Sequence, residues 1–356
     1  MKKLDQVKAP MMTPKKLGFR FPAEWEKHVA TWLSWPHNEE TWPQERLNLV
    51  LPGYLQFIKE IANGELVRIN VADQKMMDQI KRWLDEYEIS MDNIQFFIHP
   101  TNDSWCRDHG PAFLINEQAE HRKIIVNWEY NAWGGKYPPF HLDNEIPIKI
   151  GKALEIPVYS PGIVMEGGSV EFNGKGAVIT TESCLLNRNR NPHLSKKEIE
   201  VYLVEYYGVD EIIWLRDGIA GDDTDGHIDD LTRFVNEDTV ITIYENDKAD
   251  DNYYILKENI RQLNRTRLLN GKQLNVVEIP MPQPVYSEGI RLPASYANFY
   301  ISNNSVIIPT FNCEYDQTAL NTIGLFFNDR KIVGIDSREI IWGLGSFHCL
   351  SQQEPY

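Results

Sequence analysis

Cys349 and His227 are the residues of this sequence whose types best suit covalent chemistry: a thiol that becomes a nucleophile on losing its proton, and an imidazole that titrates near neutral pH. Each stands in a short polar cluster. The clusters are Asp103-Ser-Trp-Cys-Arg-Asp108, Glu166-Gly-Gly168, Asp222-Asp-Thr-Asp-Gly-His227-Ile-Asp229, Tyr296-Ala-Asn298 and Gly345-Ser-Phe-His348-Cys349. They recur about every fifty to seventy residues, so equivalent positions of a repeated unit arranged around an axis would converge there. Carboxylates, a His-Asp pair and an Asn-Cys pair would then share one pocket. Carboxylates so placed repel one another unless a cation sits between them. The planar cation that bidentate carboxylates hold best is a guanidinium, whose fork of N–H donors matches their oxygens. Held there it stays charged, and its central carbon stays electrophilic toward sulfur.

Each cluster also has a plainer reading. A cysteine near a chain end is commonly an inert small hydrophobe. Asp222, Asp223 and Asp225 can cap the next element or form part of a calcium loop, although EF-hand spacing and its terminal Glu are absent. His227 and Asp229 can hold a metal with Cys349, although zinc favours more His and Cys than this set offers. Glu166 before two glycines can mark a tight turn. Arg107 reads as the partner of a structural carboxylate, and Trp25, Trp32, Trp35 and Trp42 as core and rim packing.

The elements that must position these clusters follow from periodicity. Helical patterns at 45–62 and 74–88 alternate with apolar runs at Leu66–Val71 and Ile94–Ile98. Strands are predicted at Ala112–Ile115 and Lys123–Trp128, a helix at 144–155 and a strand at Ile156–Tyr159. The order then repeats. Val164–Phe172 and Ala177–Thr181 form a hairpin about Asn173-Gly174, a helix at 195–207 stops at Gly208, and Glu211–Leu215 is a strand. It repeats again with Ile228–Val235, Thr239–Tyr244, a helix at 252–268 and Leu274–Ile279, and once more with Tyr296–Ile301, Ser305–Pro309, a helix at 316–327 and Lys331–Ile335. A strand, strand, helix, strand unit recurring in this way predicts radial repetition within one catalytic domain spanning 1–356, its first twelve residues forming a flexible amino-terminal segment. The rival doubly wound sheet is disfavoured, because the hairpins need antiparallel pairing and no GxGxxG follows a strand.

The chain of 356 residues carries 36 Lys plus Arg against 51 Asp plus Glu, a net charge of −15. That balance argues against nucleic acid as a partner and favours a small cation, beside the plainer reading that excess carboxylate only keeps the surface soluble. With 42% hydrophobic and 24% charged residues the chain has apolar mass for a large core. No run of about 18 apolar residues occurs, and the start Met1-Lys2-Lys3-Leu4-Asp5 lacks the apolar core of a signal peptide, so no membrane partner and a cytoplasmic location are expected. Four cysteines, Cys106, Cys184, Cys313 and Cys349, without a CxxC point away from a disulfide scaffold or zinc ribbon.

Several phrases together resemble those of agmatine deiminases, within the wider peptidylarginine deiminase-like, guanidino-group-modifying enzymes. They include Gly18-Phe-Arg-Phe-Pro-Ala-Glu-Trp25, Thr31-Trp-Leu-Ser-Trp-Pro36, Asp103-Ser-Trp-Cys-Arg-Asp-His-Gly-Pro111, Asn131-Ala-Trp-Gly-Gly-Lys136, Asn189-Arg-Asn-Pro192, Gly226-His-Ile-Asp229, Ser295-Tyr-Ala-Asn-Phe-Tyr300 and His348-Cys-Leu-Ser-Gln-Gln353. The resemblance runs from about residue 13 to 354, nearly the whole chain. It implies a five-bladed α/β propeller of the pentein type, with Cys349 as nucleophile and His227 as general acid and base. Asp108 and Asp229 would bind the guanidinium, with Glu166 a further pocket carboxylate and Trp105 and Asn298 lining the site. It implies no cofactor, no metal and a homo-oligomer, acting in putrescine and polyamine biosynthesis. Two departures fall at the pocket rim and bear on substrate fit: Asp222-Asp-Thr-Asp-Gly-His227 where many relatives have Asp-Glu-Thr-Asn-Gly-His, and Gly343-Leu-Gly-Ser-Phe-His348 where Gly-Gly-Gly-Asn-Ile-His is usual.

Substrate choice then turns on the far end of the molecule. A substrate with a carboxylate there needs a cation, usually Arg, to receive it. The segment Tyr130-Asn-Ala-Trp-Gly-Gly135, where the peptidylarginine-processing members are expected to carry such arginines, has none. Agmatine ends in an ammonium, for which Asp222 and Asp223 are candidate acceptors. Arg188 and Arg190 would restore a carboxylate substrate if they faced the pocket. The alternatives are therefore a deiminase or amidino-transfer enzyme for arginine, peptidylarginine or another guanidine, and a non-catalytic binder of cationic ligands.

Overall fold

A computed structural model describes residues 12–356. Of the segment expected to be flexible, all but Met12 lies outside the described residues. The chain forms β1 (His28–Ser34), β2 (Leu66–Val71) and β3 (Ile94–Ile98), then β4 (Ala112–Ile115), β5 (Lys123–Val126) and β6 (Val158–Tyr159). Next come β7 (Val170–Phe172), β8 (Ala177–Thr181) and β9 (Glu211–Leu215), and β10 (Thr232–Asn236), β11 (Thr239–Tyr244) and β12 (Asn275–Pro280). A small hairpin of β13 (Tyr286–Ser287) and β14 (Ile290–Arg291) precedes β15 (Tyr300–Ile301), β16 (Ser305–Thr310) and β17 (Lys331–Asp336), and β18 (Ser351–Pro355) ends the chain.

Four of the sheets share one topology: the first strand is antiparallel to the second, which is parallel to the third across a connection that includes a helix. Apart from the β13-β14 hairpin, the remaining sheet has the order β18-β1-β2-β3. There β18 is antiparallel to β1, the helix Gln44–Ala62 follows, and β2 is parallel to β1. It is the same unit with its first strand supplied from the other end of the chain, and this closes the succession of units on itself. Sequence periodicity marks the longer helices and the inner strands but not β1, β18 or the β13-β14 hairpin. Ser351-Gln-Gln-Glu-Pro355 is polar, so no apolar alternation marks it, yet all five residues are buried.

Local signals account for the helices. Asp73 caps 74–86 by accepting from Met76 N. Ser195 and Glu198 form a reciprocal capping box at the start of Lys196–Tyr207, and Gly208 ends that helix at φ 72, a left-handed conformation glycine adopts without strain. The hairpin predicted about Asn173-Gly174 exists, but its turn is longer. Asn173 Oδ1 accepts from Lys175 N and Ala177 N, so residues 173–176 separate β7 from β8.

A more telling difference lies at the first strands of three units. The predicted strands at 164–172, 228–235 and 296–301 begin only at Val170, Thr232 and Tyr300. The residues before them form turns, Gly167–Ser169 and Ile228–Asp230 among them. These turns carry the polar clusters, so each unit's chemistry sits where the chain enters its sheet. Among the described residues no helix is long and apolar enough to cross a membrane.

Candidate active site

The entries to the sheets bring the clusters together. Asp108 lies in the helical turn Cys106–His109 before β4, Glu166 before β7, His227 and Asp229 before β10, Asn298 before β15, and Cys349 before β18. All are buried, Glu166, His227 and Asp229 completely. Cys349 Sγ stands 3.0 Å from Asn298 Nδ2 and 3.4 Å from Asp229 Oδ2. His227 Nδ1 is 3.7 Å from Asp108 Oδ1, and its Nε2 is 4.0 Å from Glu166 Oε2. Glu166 Oε2, Asp229 Oδ1 and both His227 nitrogens have no hydrogen-bond partner. Buried polar atoms are rarely left so, and here they converge beside the thiol, which marks a place where a polar ligand completes the bonding.

Gly168 forms the floor. A Cβ at this position would lie 2.6 Å from His227 Nδ1, 2.8 Å from Asp108 Oδ1 and 3.1 Å from Asp229 Oδ2, while its N–H donates to Asp108 Oδ1 at 3.0 Å. The close approach of backbone to these groups requires glycine.

The network beneath the site was largely unread in the sequence. His348 Nδ1 is 2.6 Å from Asp229 Oδ2, and its Nε2 is 2.9 Å from Glu24 Oε2. Glu24 in turn accepts from Arg107, Arg233 and the Ile301 amide, and Arg233 also pairs with Glu171. Arg107 thus pairs with a structural carboxylate, as expected. Asp222, offered from sequence as an acceptor for substrate, instead accepts from Thr224 N at 2.8 Å, Gly226 N at 3.0 Å and His227 N at 3.1 Å. It pins the loop that delivers His227. Asn298 holds the Cys349 sulfur, and its Oδ1 accepts from the His348 and Cys349 amides, so its contacts are to the nucleophile. Trp133 Nε1 donates to Asp108 Oδ2 at 3.0 Å, from a turn that holds both Ala132 and Trp133 at positive φ.

Electrostatics follow from this crowding. Burial, then Asp229, Asp230 and Asp108, push the Cys349 thiol well above its ordinary value. Burial, against the opposing pull of His227 and with Asp229 and Glu166 nearby, raises Asp108 to about 6. For His227 burial favours the neutral ring, but Asp108, Cys184 and Asp229 outweigh it and hold the imidazole well above its usual value. For Asp229 burial is likewise outweighed, by the His348 hydrogen bond and charge, and the group lies below the carboxylate range.

Asp108 and Cys349 open onto a cavity of about 500 Å³. Trp105, Tyr130, Trp133 and Trp342 form aromatic walls, and Asp223, Glu288, Glu39 and Glu40 supply carboxylates farther out. Among the described residues no Lys or Arg lines it. Arg190 is fully committed elsewhere: its Nε lies 2.6 Å from Glu166 Oε1, its Nη1 pairs with Asp225 and its Nη2 donates to Thr224 O. Arg188 is exposed and outside the lining. Neither restores a receptor for a substrate carboxylate.

A thiol, an imidazole and paired carboxylates at the meeting point of five α/β units define a guanidine-processing enzyme of the pentein fold. The comparisons narrow this. A model of the Porphyromonas-type peptidyl-arginine deiminase family matches residues 20–355. The agmatine deiminase of Pseudomonas syringae pv. tomato is 36% identical over 96% of this chain and 97% of the relative. Among solved structures, the agmatine deiminase of Enterococcus faecalis superposes with a TM-score of 0.90 at 32% identity, covering 98% of this chain and 99% of that one. A substrate-bound agmatine deiminase of C. jejuni gives 0.86 at 32% identity, covering 95% and 96%. The chain belongs to the Porphyromonas-type peptidyl-arginine deiminase family and is a hydrolase acting on C–N bonds of linear amidines.

Proposed function

We propose that the chain hydrolyses agmatine to N-carbamoylputrescine and ammonia, with Cys349 as nucleophile. The observation that carries this reading is the pairing of unpartnered carboxylate and imidazole atoms beside the thiol with a cavity that offers acidic groups and no cation. The guanidinium lies between Asp108 and Asp229, with Glu166 behind, and its central carbon faces Cys349. The butyl chain runs along Trp105, and the terminal ammonium reaches Asp223, which lines the cavity. The bound cation offsets the negative field that keeps the thiol protonated, so the thiolate forms with substrate in place.

The thiolate adds to the central carbon, forming the S–C bond of a neutral tetrahedral adduct. Protonated His227 delivers its proton to one nitrogen, the C–N bond breaks, and ammonia leaves a thiouronium on Cys349. Neutral His227 then takes a proton from water as the oxygen adds to the same carbon. Collapse breaks the S–C bond, returns the pair to sulfur, passes the hydroxyl proton to that sulfur as the C=O bond forms, and releases the carbamoyl product. No cofactor takes part in this sequence, in which sulfur supplies the nucleophile and the carboxylates the field.

Ammonia release tests the assignment. The kcat/KM for agmatine is expected to exceed that for L-arginine by at least about 10²-fold, because the arginine carboxylate finds no partner in an acidic cavity. Equal or faster turnover of arginine overturns the substrate, and binding of agmatine without ammonia release would make the chain a binder only. Gly168→Ala is expected to lower kcat/KM about 10²-fold by displacing His227 and Asp108 from their positions; wild-type kinetics in that variant would show that the floor does not set the geometry. We also propose a cytoplasmic location, supported by four cysteines that are all free thiols, the state a reducing compartment maintains.

A further inference from the structure

Cys184 has no part in the reaction above, yet it faces the catalytic imidazole. One ligand atom each from Glu166, Cys184 and His227 lie within 4.8 Å of one another, and all three residues are buried. The alternative metal set weighed from sequence joined His227 to Cys349; the thiol that shares a cluster with His227 and Glu166 is Cys184. Glu166 Oε2 and both ring nitrogens of His227 are without hydrogen-bond partners. Imidazole, thiolate and carboxylate is a donor set that Zn²⁺ accepts at bond lengths of about 2.0–2.3 Å, so the three need close by only about an ångström to reach tetrahedral spacing. The supporting contacts exist as well. Arg190 fixes the other oxygen of Glu166 at 2.6 Å, and the turn Glu182–Leu185, capped by Thr181 through the Cys184 amide, fixes the thiol. Asp108 and Asp229 add negative charge that favours a dication.

A second cluster, Asp229, Asp230 and Cys349, also lies within 4.8 Å. Its donors are mostly engaged, with Asp229 Oδ1 the exception: Asn298 holds the Cys349 sulfur and Asp230 Oδ1, and His348 holds Asp229 Oδ2. The Glu166 and His227 atoms are not. We propose that Glu166, Cys184 and His227 form a binding site for a thiophilic divalent cation such as Zn²⁺, whose occupation blocks turnover by removing His227 from proton transfer. Only the inhibitory consequence rests on the proposed reaction; binding does not.

The test starts from Cys349→Ala protein, in which the rival cluster has lost its thiol. Calorimetric titration with Zn²⁺ is expected to show one site, weakened at least about 10-fold by the second change Cys184→Ala. Co²⁺ should give a thiolate charge-transfer absorption that the doubly substituted protein lacks. In protein with Cys349 intact, the ratio of ammonia release without and with Zn²⁺ is compared within each variant. That ratio should fall at least about 10-fold in Cys184→Ala and in the volume-preserving Cys184→Ser, each checked by circular dichroism and thermal midpoint. Absence of zinc binding by Cys349→Ala protein, equal binding after the second change, or undiminished zinc sensitivity in both Cys184 variants overturns the proposal. The binding measurements use no substrate, so their failure is distinct from a failure of the agmatine reading.

Discussion

Cys349→Ala is expected to lower kcat/KM for agmatine by at least about 10³-fold, the scale seen when a covalent nucleophile is lost and only binding and field effects remain. The site explains why the loss is large and why substitution leaves the fold intact. Asn298 approaches the sulfur but also donates to Asp230 and accepts from the His348 and Cys349 amides, and alanine leaves those contacts in place. The thiol itself is held in its neutral form by burial and by Asp229, Asp230 and Asp108. In the free enzyme, alkylation of Cys349 by iodoacetamide should therefore still be rising at pH 9, the ordinary thiol value, without a plateau below it. A plateau well below that pH would mean that the thiolate exists before substrate arrives. More than about a tenth of wild-type turnover in Cys349→Ala, measured as ammonia release, would place the nucleophile elsewhere.

The repeated unit was legible because four of its copies carry apolar strands and a helix in continuous order, and the clusters could be placed by their position within it. The fifth copy was legible in its helices and in β2 and β3, but not as a unit. Its strands come from opposite ends of the chain, and Ser351–Pro355 is buried through polar pairing, Glu354 with Arg68 and Lys123 and Gln353 with Arg107, rather than through apolar residues. Strand patterning has no signal for that. The first strands start later than the apolar residues before them suggest: Val164 and Met165, and Ile228 and Leu231, extend the apolar runs of β7 and β10, yet they flank the turns that carry Glu166, His227 and Asp229.

The directly reacting residues were legible as types in a repeated position. Their supports were not, because Glu24, His348, Asp230, Cys184 and Trp133 meet the site only through folding. The sequence phrases around Glu24 and His348 mark both residues, without indicating that Glu24 and Asp229 bracket the His348 imidazole. Asp222 shows the converse. An acidic loop near a cation site invites a binding role, yet three backbone N–H groups claim that carboxylate.

His227→Gln is expected to cost about 10²- to 10⁴-fold in kcat with a smaller change in KM, since the ring moves protons in both halves of the reaction while Asp108 and Asp229 still hold the guanidinium. The pH dependence gives this prediction its sign. Burial favours neutral His227, but Asp108, then Cys184 and Asp229, raise it well above its ordinary value, so the proton-donating form persists through neutral pH and is lost only on the alkaline side. Asp108 behaves in the opposite sense. Burial, with Asp229 and Glu166 adding to it, raises it to about 6, so below that pH it gains a proton and no longer clamps a cation. The profile of kcat/KM, which reports the free enzyme, should therefore steepen on the acid side below about pH 6, keep rising through neutrality because the free thiol is still protonated there, and fall only where His227 loses its proton on the alkaline side. Asp108→Asn removes the strongest influence raising His227, and so should shift the alkaline limb of the residual activity to lower pH. An unmoved limb in Asp108→Asn, or an unchanged kcat in His227→Gln, would assign proton transfer to another group. The remaining candidate in contact with Asp229 is His348, whose two nitrogens are already committed to Asp229 and Glu24.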